Sequence, residues 1–240
     1  MSISGAGPLI QLICTPIGNL GDFTFRAVEC LKRANLIACE DTRHSRRLLD
    51  HYGITGKTLL SLHDHNEERK SVELTEKLIT SNETLAVLSD AGSPSISDPG
   101  FRLVKEAVSR GIRIEVIPGP SAVITGLVGS GLPTDQFSFH GFLPVKSGKK
   151  QKALEAALNS AGTSIFFESP YRILKTLNVI DALDSERNVC VAREITKRFE
   201  TYHRGTAAEI IAEFGESTVK GEITLVIEGL SRKMRRDASD

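Results

Sequence analysis

The first half of the chain alternates short apolar runs with longer stretches of helical periodicity. Five such repeats within about 120 residues are typical of strand–helix units and predict a mostly parallel sheet with helices on both faces. The predicted strands are Leu9–Cys14, Leu36–Cys39, Thr58–Leu62, Leu85–Leu88 and Ile112–Ile117. The predicted helices run through Ala27–Ala34, from Leu48 to a stop at Gly53, from about Arg69 to Thr80, and through Phe101–Arg110 and Ala122–Gly129, with Asp22 or Thr24 as the first N-cap and Ser121 as the last.

The second half has shorter connections and strands in which apolar and polar residues alternate. This pattern predicts a mixed α+β sheet. The predicted strands are Phe137–Phe142, Ser164–Glu168, Asn188–Ala192, Glu200–Arg204 and Glu222–Glu228, and the predicted helices are Ala153–Asn159, Ile173–Ile180 and Ala207–Phe214. Lys146–Lys152 is predicted to be a flexible basic loop. A turn-rich junction at Gly131–Asp135 gives predicted domains over residues 1–131 and 132–230, with a disordered tail over residues 231–240.

The net charge of the chain limits how it could bind nucleic acid. Thirty basic and thirty acidic residues cancel, so only local basic clusters could bind nucleic acid. The four cysteines have no metal-ligand spacing and are expected to be reduced thiols. The N-terminus lacks the pattern of a signal peptide, and no apolar run approaches the roughly 18 residues of a membrane span, so a cytoplasmic protein is expected.

Several familiar catalytic signatures are absent from the sequence. It contains no G-x-x-x-x-G-K-[ST] phosphate loop and no G-x-S-x-G nucleophile elbow, and its early glycine pair precedes the first strand instead of following it. His63, Asp64 and His65 are close in sequence, but neighbours on an extended segment point to opposite sides. Hydrogen bonding or substrate contact is therefore favoured over metal binding at these histidines, and no metal is expected.

Loops rich in glycine and proline follow the first, fourth and fifth strands, and charged segments follow the second and third. Ligands of open α/β sheets bind where loops leave the carboxyl ends of the strands. Glycine and proline loops bring bare backbone N–H and C=O groups close to a bound molecule. The pattern predicts a neutral to zwitterionic ligand held mainly by backbone, and it leaves the identity of that ligand open.

Five multi-residue motifs extend this interpretation. They are Thr15–Asp22 (TPIGNLGD), Glu40–Ser45 (EDTRHS), Ser89–Gly100 (SDAGSPSISDPG), Pro118–Ala122 (PGPSA) and Lys220–Glu222 (KGE). Together they resemble the motifs of the tetrapyrrole methylase superfamily, and more narrowly those of members that methylate the ribose 2′-hydroxyl of a cytidine in 16S rRNA. The resemblance runs from about Leu9 to Glu228 in a single order.

The resemblance implies two α/β domains, with S-adenosyl-L-methionine in the cleft between them, and a homodimer. Gly92–Pro94 corresponds to a cofactor-binding Gly-Asp-Pro of the superfamily, with Ser93 in place of the aspartate and Asp90 as a substitute carboxylate. The implied cofactor contacts are Pro16, Ser89, Asp90, Ala91, Gly92, Ser93, Ile96, Ser121 and Ala122 in the first half, and Phe167, Glu168, Ala192, Glu222 and Thr224 in the second.

An rRNA substrate needs basic surface, which local clusters supply. The expected substrate contacts are Arg43, His44, Arg46, Arg47, Asn66, Lys149, Lys150, Arg193 and Lys197, with Lys146 and Lys152 extending the lysine patch. Arginine suits phosphate oxygens because its guanidinium donates in a fork. Two alternatives remain open: a methyltransferase of the same fold acting on a porphyrin precursor, and a non-catalytic RNA-binding module.

Methyl transfer to a hydroxyl requires a group that accepts the hydroxyl proton. The candidates on the predicted loops are Asp41, His44, His63, Asp90, Glu168, Glu194 and Lys197. A neutral histidine accepts a proton near pH 7, whereas a carboxylate needs its pKa raised by burial. His63 or His44 is therefore the expected acceptor, and loss of the proton to water from well-aligned reactants is the alternative. Carboxylates such as Asp41 are expected to orient the hydroxyl or the arginines, among them Arg43.

Overall fold

The computed structural model describes residues 7–215 and 218–230, which form two compact units divided after Ser121. The sequence-based boundary falls later, after residue 131. The helix between these two positions belongs with the second unit, because it packs on the second sheet. The predicted disordered tail lies outside the described residues.

The first unit is a parallel sheet whose described strands lie in the order β3-β2-β4-β1-β5. Its elements are β1 (Leu9–Ile13), α1 (Phe25–Arg33), β2 (Leu36–Cys39), α2 (Thr42–His51), β3 (Thr58–Ser61), α3 (Glu67–Ser81), β4 (Thr84–Leu88), α4 (Phe101–Ser109) and β5 (Arg113–Ile117). The parallel sheet expected from the strand–helix alternation is confirmed.

Apolar residues of this sheet form a core on each face. Ile13, Ile37 and Leu88 pack against α1 and α2, whereas Ile10 and Val87 pack against α3 and α4. Strands covered on both faces read as continuous apolar runs, and β1, β2 and most of β4 are indeed buried. The carboxyl ends of all five described strands therefore meet at one edge of the sheet.

Side chains fix where two of these helices begin. Thr24 caps α1, because its hydroxyl accepts the N–H of Ala27 at 3.1 Å. Gly100 precedes α4 and has no side chain to cap it. Glu67 performs this task from α3, since its buried Oε1 accepts the N–H groups of Gly100 at 2.7 Å and Arg102 at 2.9 Å.

The second unit is a mixed sheet with its described strands in the order β6-β7-β10-β8-β9. Its elements are α5 (Ala122–Ser130), β6 (Phe137–Phe142), α6 (Ser147–Leu158), β7 (Thr163–Glu168), α7 (Ile173–Leu183), β8 (Asn188–Arg193), β9 (Thr201–Thr206), α8 (Ala207–Phe214) and β10 (Ile223–Ile227). Only the β6–β7 pair among them is parallel. Helix α5 covers one face, and α6, α7 and α8 cover the other. The predicted mixed sheet is confirmed.

One local prediction is wrong. The run Lys146–Lys152, expected to be a flexible loop, forms the N-cap and the first turns of α6. Lys146 makes no side-chain capping hydrogen bond, and Gly148 lowers helix propensity, so the local sequence gives a weak helix signal. Burial of Lys150 beneath the helix supplies the tertiary contact that local propensity does not reveal.

Candidate functional site

Two loops at the carboxyl edge of the parallel sheet are joined by backbone hydrogen bonds. The N–H of Thr15 donates to the carbonyl of Gly92 at 2.8 Å, and the N–H of Gly92 donates back at 3.1 Å. The Thr15 hydroxyl also donates to the carbonyl of Ser89, and the Ser89 hydroxyl donates to that of Gly92. Cys14 Sγ and Ser93 Oγ lie 3.2 Å apart. The loops after β1 and β4 are therefore one hydrogen-bonded structure, with Pro16 buried inside it.

Glycine is required at two positions of the loop after β4. Gly92 has φ +76°, and an added Cβ would lie 3.3 Å from Ile17. Gly100 has φ +136°, and an added Cβ would lie 2.5 Å from Ser95 Oγ. Ser95 itself has φ +72°, an uncommon conformation for a residue with a side chain. Strained backbone of this kind persists where the surrounding structure enforces it, often at binding sites.

This loop also presents unused backbone donors. Within residues 7–215 and 218–230, the N–H groups of Ala91 and Ser93 have no hydrogen-bond partner. Ala91 is exposed, and Ile96 is half exposed. The loop can therefore bind polar ligand atoms through its backbone beside an apolar side chain, as the sequence pattern predicts.

Carboxylates from three strand ends influence one another beside these donors. Burial, followed by the charges of Asp90 and Asp64, raises the pKa of Glu40. Burial raises the pKa of Asp98 to about 7, and the charges of Glu40 and Asp90 add to this effect. A hydrogen bond with Ser89 opposes the rise. The cluster favours a ligand that carries positive charge, because a cation would relieve the repulsion.

Asp98 was not among the proton acceptors expected from the sequence. Its motif, Asp98-Pro-Gly100, marks it as a loop residue, but only the fold places it near Glu40 and Asp90. A carboxyl group with a pKa near 7 can accept a proton at neutral pH. The shift results from burial and long-range neighbours, which one-dimensional spacing does not show.

The segment after β2 begins α2 and exposes basic side chains. Asp41 caps the helix, and its carboxylate accepts the Arg43 backbone N–H at 2.8 Å. Hydrogen bonds from the Arg43 side chain and backbone hold the pKa of Asp41 well below its usual range. This makes Asp41 a poor proton acceptor. His44, Arg46 and Arg47 are exposed, while Ser45, Leu48 and Leu49 face the core.

The loop after β3 fixes the ring of His63. Asn66 Oδ1 accepts the His63 backbone N–H at 3.0 Å, which directs the Asn66 amide nitrogen towards His63 Nε2 at 3.2 Å. In the neutral ring, Nε2 is then an acceptor and Nδ1 carries the proton. Nδ1 is buried and, among the described residues, has no partner. His63 therefore presents no free ring nitrogen to a ligand, and Asn66 is occupied inside the loop.

Three sequence-predicted residues of the second unit are brought together. Thr224 of β10 lies opposite Phe167 of β7 and Ala192 of β8, so the three side chains share one face of the sheet. Thr224 and Ala192 are buried, and Gly126 of α5 lies directly over Thr224. Phe167 packs against Phe139 and remains half buried.

Lys197 and Glu222 bind each other. Lys197 Nζ donates to Glu194 Oε1 and Glu222 Oε2, both at 2.9 Å. Burial alone would lower the pKa of Lys197, but hydrogen bonds to Glu222 and Glu194 outweigh it and raise that pKa. Lys197 is therefore a poor proton acceptor. Arg193 donates to the carbonyl of Lys220 at 3.1 Å, which holds the same loop.

The structure corrects the sequence-based roles of Glu168 and Lys150. Strand alternation places Glu168 on the face opposite Phe167, where its side chain is fully buried. Lys150 Nζ donates to Glu168 Oε2 at 3.2 Å and to Thr176 Oγ1 at 2.8 Å. Glu168 cannot contact a ligand on the Phe167 face, and Lys150 is not available to RNA phosphates.

Within the described residues, no three His, Cys, Asp or Glu side chains are arranged to hold a metal ion. None of the helices in the same part of the chain is long and apolar enough to cross a membrane.

The first unit defines a class of α/β protein that binds a ligand with loops at the carboxyl edge of a parallel sheet. A family model described as tetrapyrrole (corrin/porphyrin) methylases matches residues 10–211. The chain belongs to this family, and the fold that the sequence motifs imply is confirmed.

Individual relatives refine this assignment. Ribosomal RNA small subunit methyltransferase I of Vibrio cholerae serotype O1 is 47% identical over 232 residues, covering 95% of this chain and 80% of that protein. Diphthine synthase superposes with a TM-score of 0.69 at 14% identity, covering 95% of this chain and 93% of that one. Uroporphyrin-III-C-methyltransferase from Thermus thermophilus gives a TM-score of 0.61 at 17% identity, covering 97% and 98%. At such identities the two structures establish the fold alone.

Proposed function

We propose that this protein is an S-adenosylmethionine-dependent methyltransferase that methylates the ribose 2′-hydroxyl of a cytidine in 16S rRNA. The observation that carries the proposal is the extended identity to a methyltransferase named for small-subunit rRNA. An rRNA substrate implies a cytoplasmic site of action. The protein works as a homodimer in this proposal, because one chain without net charge offers an RNA substrate little basic surface.

The loops of the first unit fit this cofactor. S-adenosylmethionine supplies a methyl group on a positively charged sulfonium and also carries an ammonium and a carboxylate. The cluster around Asp90 and Asp98 favours the cationic groups, and the free N–H groups of Ala91 and Ser93 suit an anionic or polar one. The contacts implied at Ser121, Ala122 and the row Phe167–Thr224–Ala192 belong to this proposal.

The charged segments after β2 and β3 favour RNA over a porphyrin precursor. Exposed His44, Arg46 and Arg47 form a basic face on α2 that can contact phosphate oxygens. A porphyrin substrate would need a large apolar surface, whereas these segments expose mainly charged and polar side chains. The resemblance to a porphyrin methyltransferase is limited to the fold.

The proton acceptor in this proposal is Asp98 rather than His63 or His44. Asn66 engages His63 Nε2, and His63 Nδ1 is buried, so neither ring nitrogen is open to the substrate hydroxyl. Exposed His44 is suited to contact RNA. Asp98 combines a location beside the Gly92 loop with a pKa of about 7, and its ionised form is the base.

The substrate class is tested by mass mapping of 16S rRNA from cells with and without the gene. We expect one cytidine ribose methyl to disappear without the gene and to return when the wild-type gene is restored. An unchanged rRNA in both strains would refute the proposed substrate. A methylated porphyrin precursor that depends on the gene would instead support the other class of enzyme.

At limiting cofactor and RNA, where the pH profile reports ionisation in the free enzyme, the rate of methylation is expected to rise with pH and level off above about pH 7, because only ionised Asp98 accepts the proton. Below that point the rate should fall about tenfold per pH unit, which is the behaviour of a single required base. Asp98→Asn should lower the plateau and abolish this limb of the profile.

His63→Gln and His44→Gln serve as the comparison variants, measured at the same limiting concentrations of cofactor and RNA. Both should keep the acidic limb at its wild-type position even where the rate falls. If Asp98→Asn retains that limb and a histidine variant loses it, the acceptor is the histidine.

A further inference from the structure

Two aromatic side chains of the second unit stand exposed at neighbouring strand ends. Phe142 ends β6 and is 63% exposed, and Tyr171 follows the end of β7 and is 89% exposed. These two strands are parallel and adjacent, so their carboxyl ends lie at the same edge of the sheet. Single exposed apolar side chains are ordinary, but exposed apolar side chains that lie together can mark an interaction site.

Buried ionic contacts hold these two strand ends together. Glu168 Oε1 accepts the N–H of Ser169 at 2.7 Å and pairs with Arg172. Arg172 in turn donates to the carbonyl of Leu143, the residue after Phe142, at 3.1 Å. Lys150 completes the network from α6. The exposed rings are thus mounted on a rigid base rather than on free loops.

The orientation of Phe142 is fixed as well. Its ring packs edge-on against Phe167, with centroids 5.4 Å apart and an interplanar angle of 61°. A ring held in this way loses little conformational entropy when another flat group stacks on its exposed surface.

The segments that carry these rings are rich in basic residues. Residues 142–155 and 169–181 contain six lysines and arginines, against one glutamate and one aspartate at their ends. Lys150 and Arg172 are used by Glu168, whereas the remaining four are exposed: Lys146, Lys149, Lys152 and Lys175. We call Phe142, Tyr171 and these four lysines the aromatic platform.

We propose that the aromatic platform binds an unpaired segment of RNA, with bases stacked on Tyr171 and Phe142 and phosphates beside the four lysines. Aromatic rings combined with a basic surface are the usual means of binding single-stranded nucleic acid, because every base has a face that can stack. The proposal rests on the proposed rRNA substrate and identifies the feature of that RNA that the second unit recognises. A paired RNA would leave the rings unused, since its bases are already stacked.

Charge favours RNA over a second copy of this chain as the occupant. A symmetric contact through the aromatic platform would bring the four exposed lysines of one copy against those of another. RNA phosphates neutralise the same lysines and release counterions.

The test is equilibrium binding of a fluorescein-labelled, unpaired RNA of about twelve nucleotides to the full chain. Tyr171→Ala should weaken binding about tenfold, the effect of losing one stacked base. Tyr171→Phe should bind like the wild type, because the ring is retained. Phe25→Ala is the matched control: Phe25 is 93% exposed in the first unit, and its loss should change nothing.

Further measurements separate the contributions. Lys149→Ala should reduce the salt dependence of binding, whereas Tyr171→Ala should leave that dependence unchanged. For methylation, Tyr171→Ala should raise KM for the RNA about tenfold with kcat retained, since stacking is expected in both the ground state and the transition state. The same RNA annealed to its complement should not distinguish Tyr171→Ala from the wild type.

Two results would refute the proposal that the aromatic platform binds RNA. One is wild-type affinity of Tyr171→Ala for the unpaired RNA, with methylation by the wild type intact, in which case the proposed function survives alone. The other is a change in oligomeric state of Tyr171→Ala in sedimentation velocity, which would make the surface an interface between copies. If RNA binding depends on Tyr171 but the wild type does not methylate the RNA, the proposed RNA site stands and the proposed methyltransferase function is refuted.

Discussion

Replacing Gly92 with valine is expected to abolish measurable S-adenosylmethionine binding, or to weaken it at least about tenfold, while the protein stays folded. The φ of +76° at Gly92 disfavours any side chain, and a branched one most strongly. The residue also makes both backbone hydrogen bonds to Thr15. Distortion here would displace the free N–H groups of Ala91 and Ser93 that are proposed to bind the cofactor. Titration calorimetry with S-adenosylmethionine measures the effect.

Gly111→Val is the matched control for backbone strain. Gly111 has φ +67°, and an added Cβ would meet nothing within 4 Å. It precedes β5 and therefore lies at the sheet edge opposite the Gly92 loop. Both variants should lose about 1–2 kcal/mol of unfolding free energy, but only Gly92→Val should lose the cofactor. Equal cofactor affinities in the two folded variants would remove the Gly92 loop from the proposed site.

Much of the first unit could be predicted because its local and long-range signals agree. The apolar runs at Leu36–Cys39 and Thr84–Leu88 are strands by composition, and burial on both faces enforces that choice. Parallel order follows from the intervening helices, so the loops containing Thr15 and Gly92 had to meet at one edge. Their direct hydrogen bonds are a consequence of that topology.

Two of the predictions that failed depend on contacts between residues far apart in sequence, and one on strand alternation. Lys149 and Lys150 are neighbouring lysines in the same basic run, yet Lys150 is buried and Lys149 is exposed. Glu168 follows Phe167 directly, yet strand alternation places the two on opposite faces. Asp98 was missed as a base because its raised pKa depends on burial and on Glu40. The decisive partner is 18 positions away for Lys150 and further for Asp98, whereas the placement of Glu168 follows from local strand alternation.

Lys150→Met is expected to lower the free energy of unfolding by about 3 kcal/mol, because it leaves a buried carboxylate short of a partner. The Lys150 and Glu168 side chains are 6% and 0% exposed. Methionine retains most of the lysine stem, so the loss reports mainly the missing ammonium. Arg172 still pairs with Glu168 but is partly exposed, which places the effect at the lower end of the range for broken buried pairs. Urea unfolding at neutral pH measures the difference.

Lys149→Met is the control for this prediction, since the same substitution at an exposed position of α6 should change stability by no more than about 0.5 kcal/mol. Adding Glu168→Gln to Lys150→Met should recover part of the loss, because a neutral amide can still accept the Ser169 N–H without leaving a buried charge. The two variants should have the reverse effects on RNA binding. Lys149→Met should reduce the salt dependence of RNA binding, whereas Lys150→Met, measured under conditions where it is fully folded, should leave that dependence unchanged. Wild-type stability in Lys150→Met together with a reduced salt dependence would mean that Lys150 reaches RNA after all, as the sequence alone suggested.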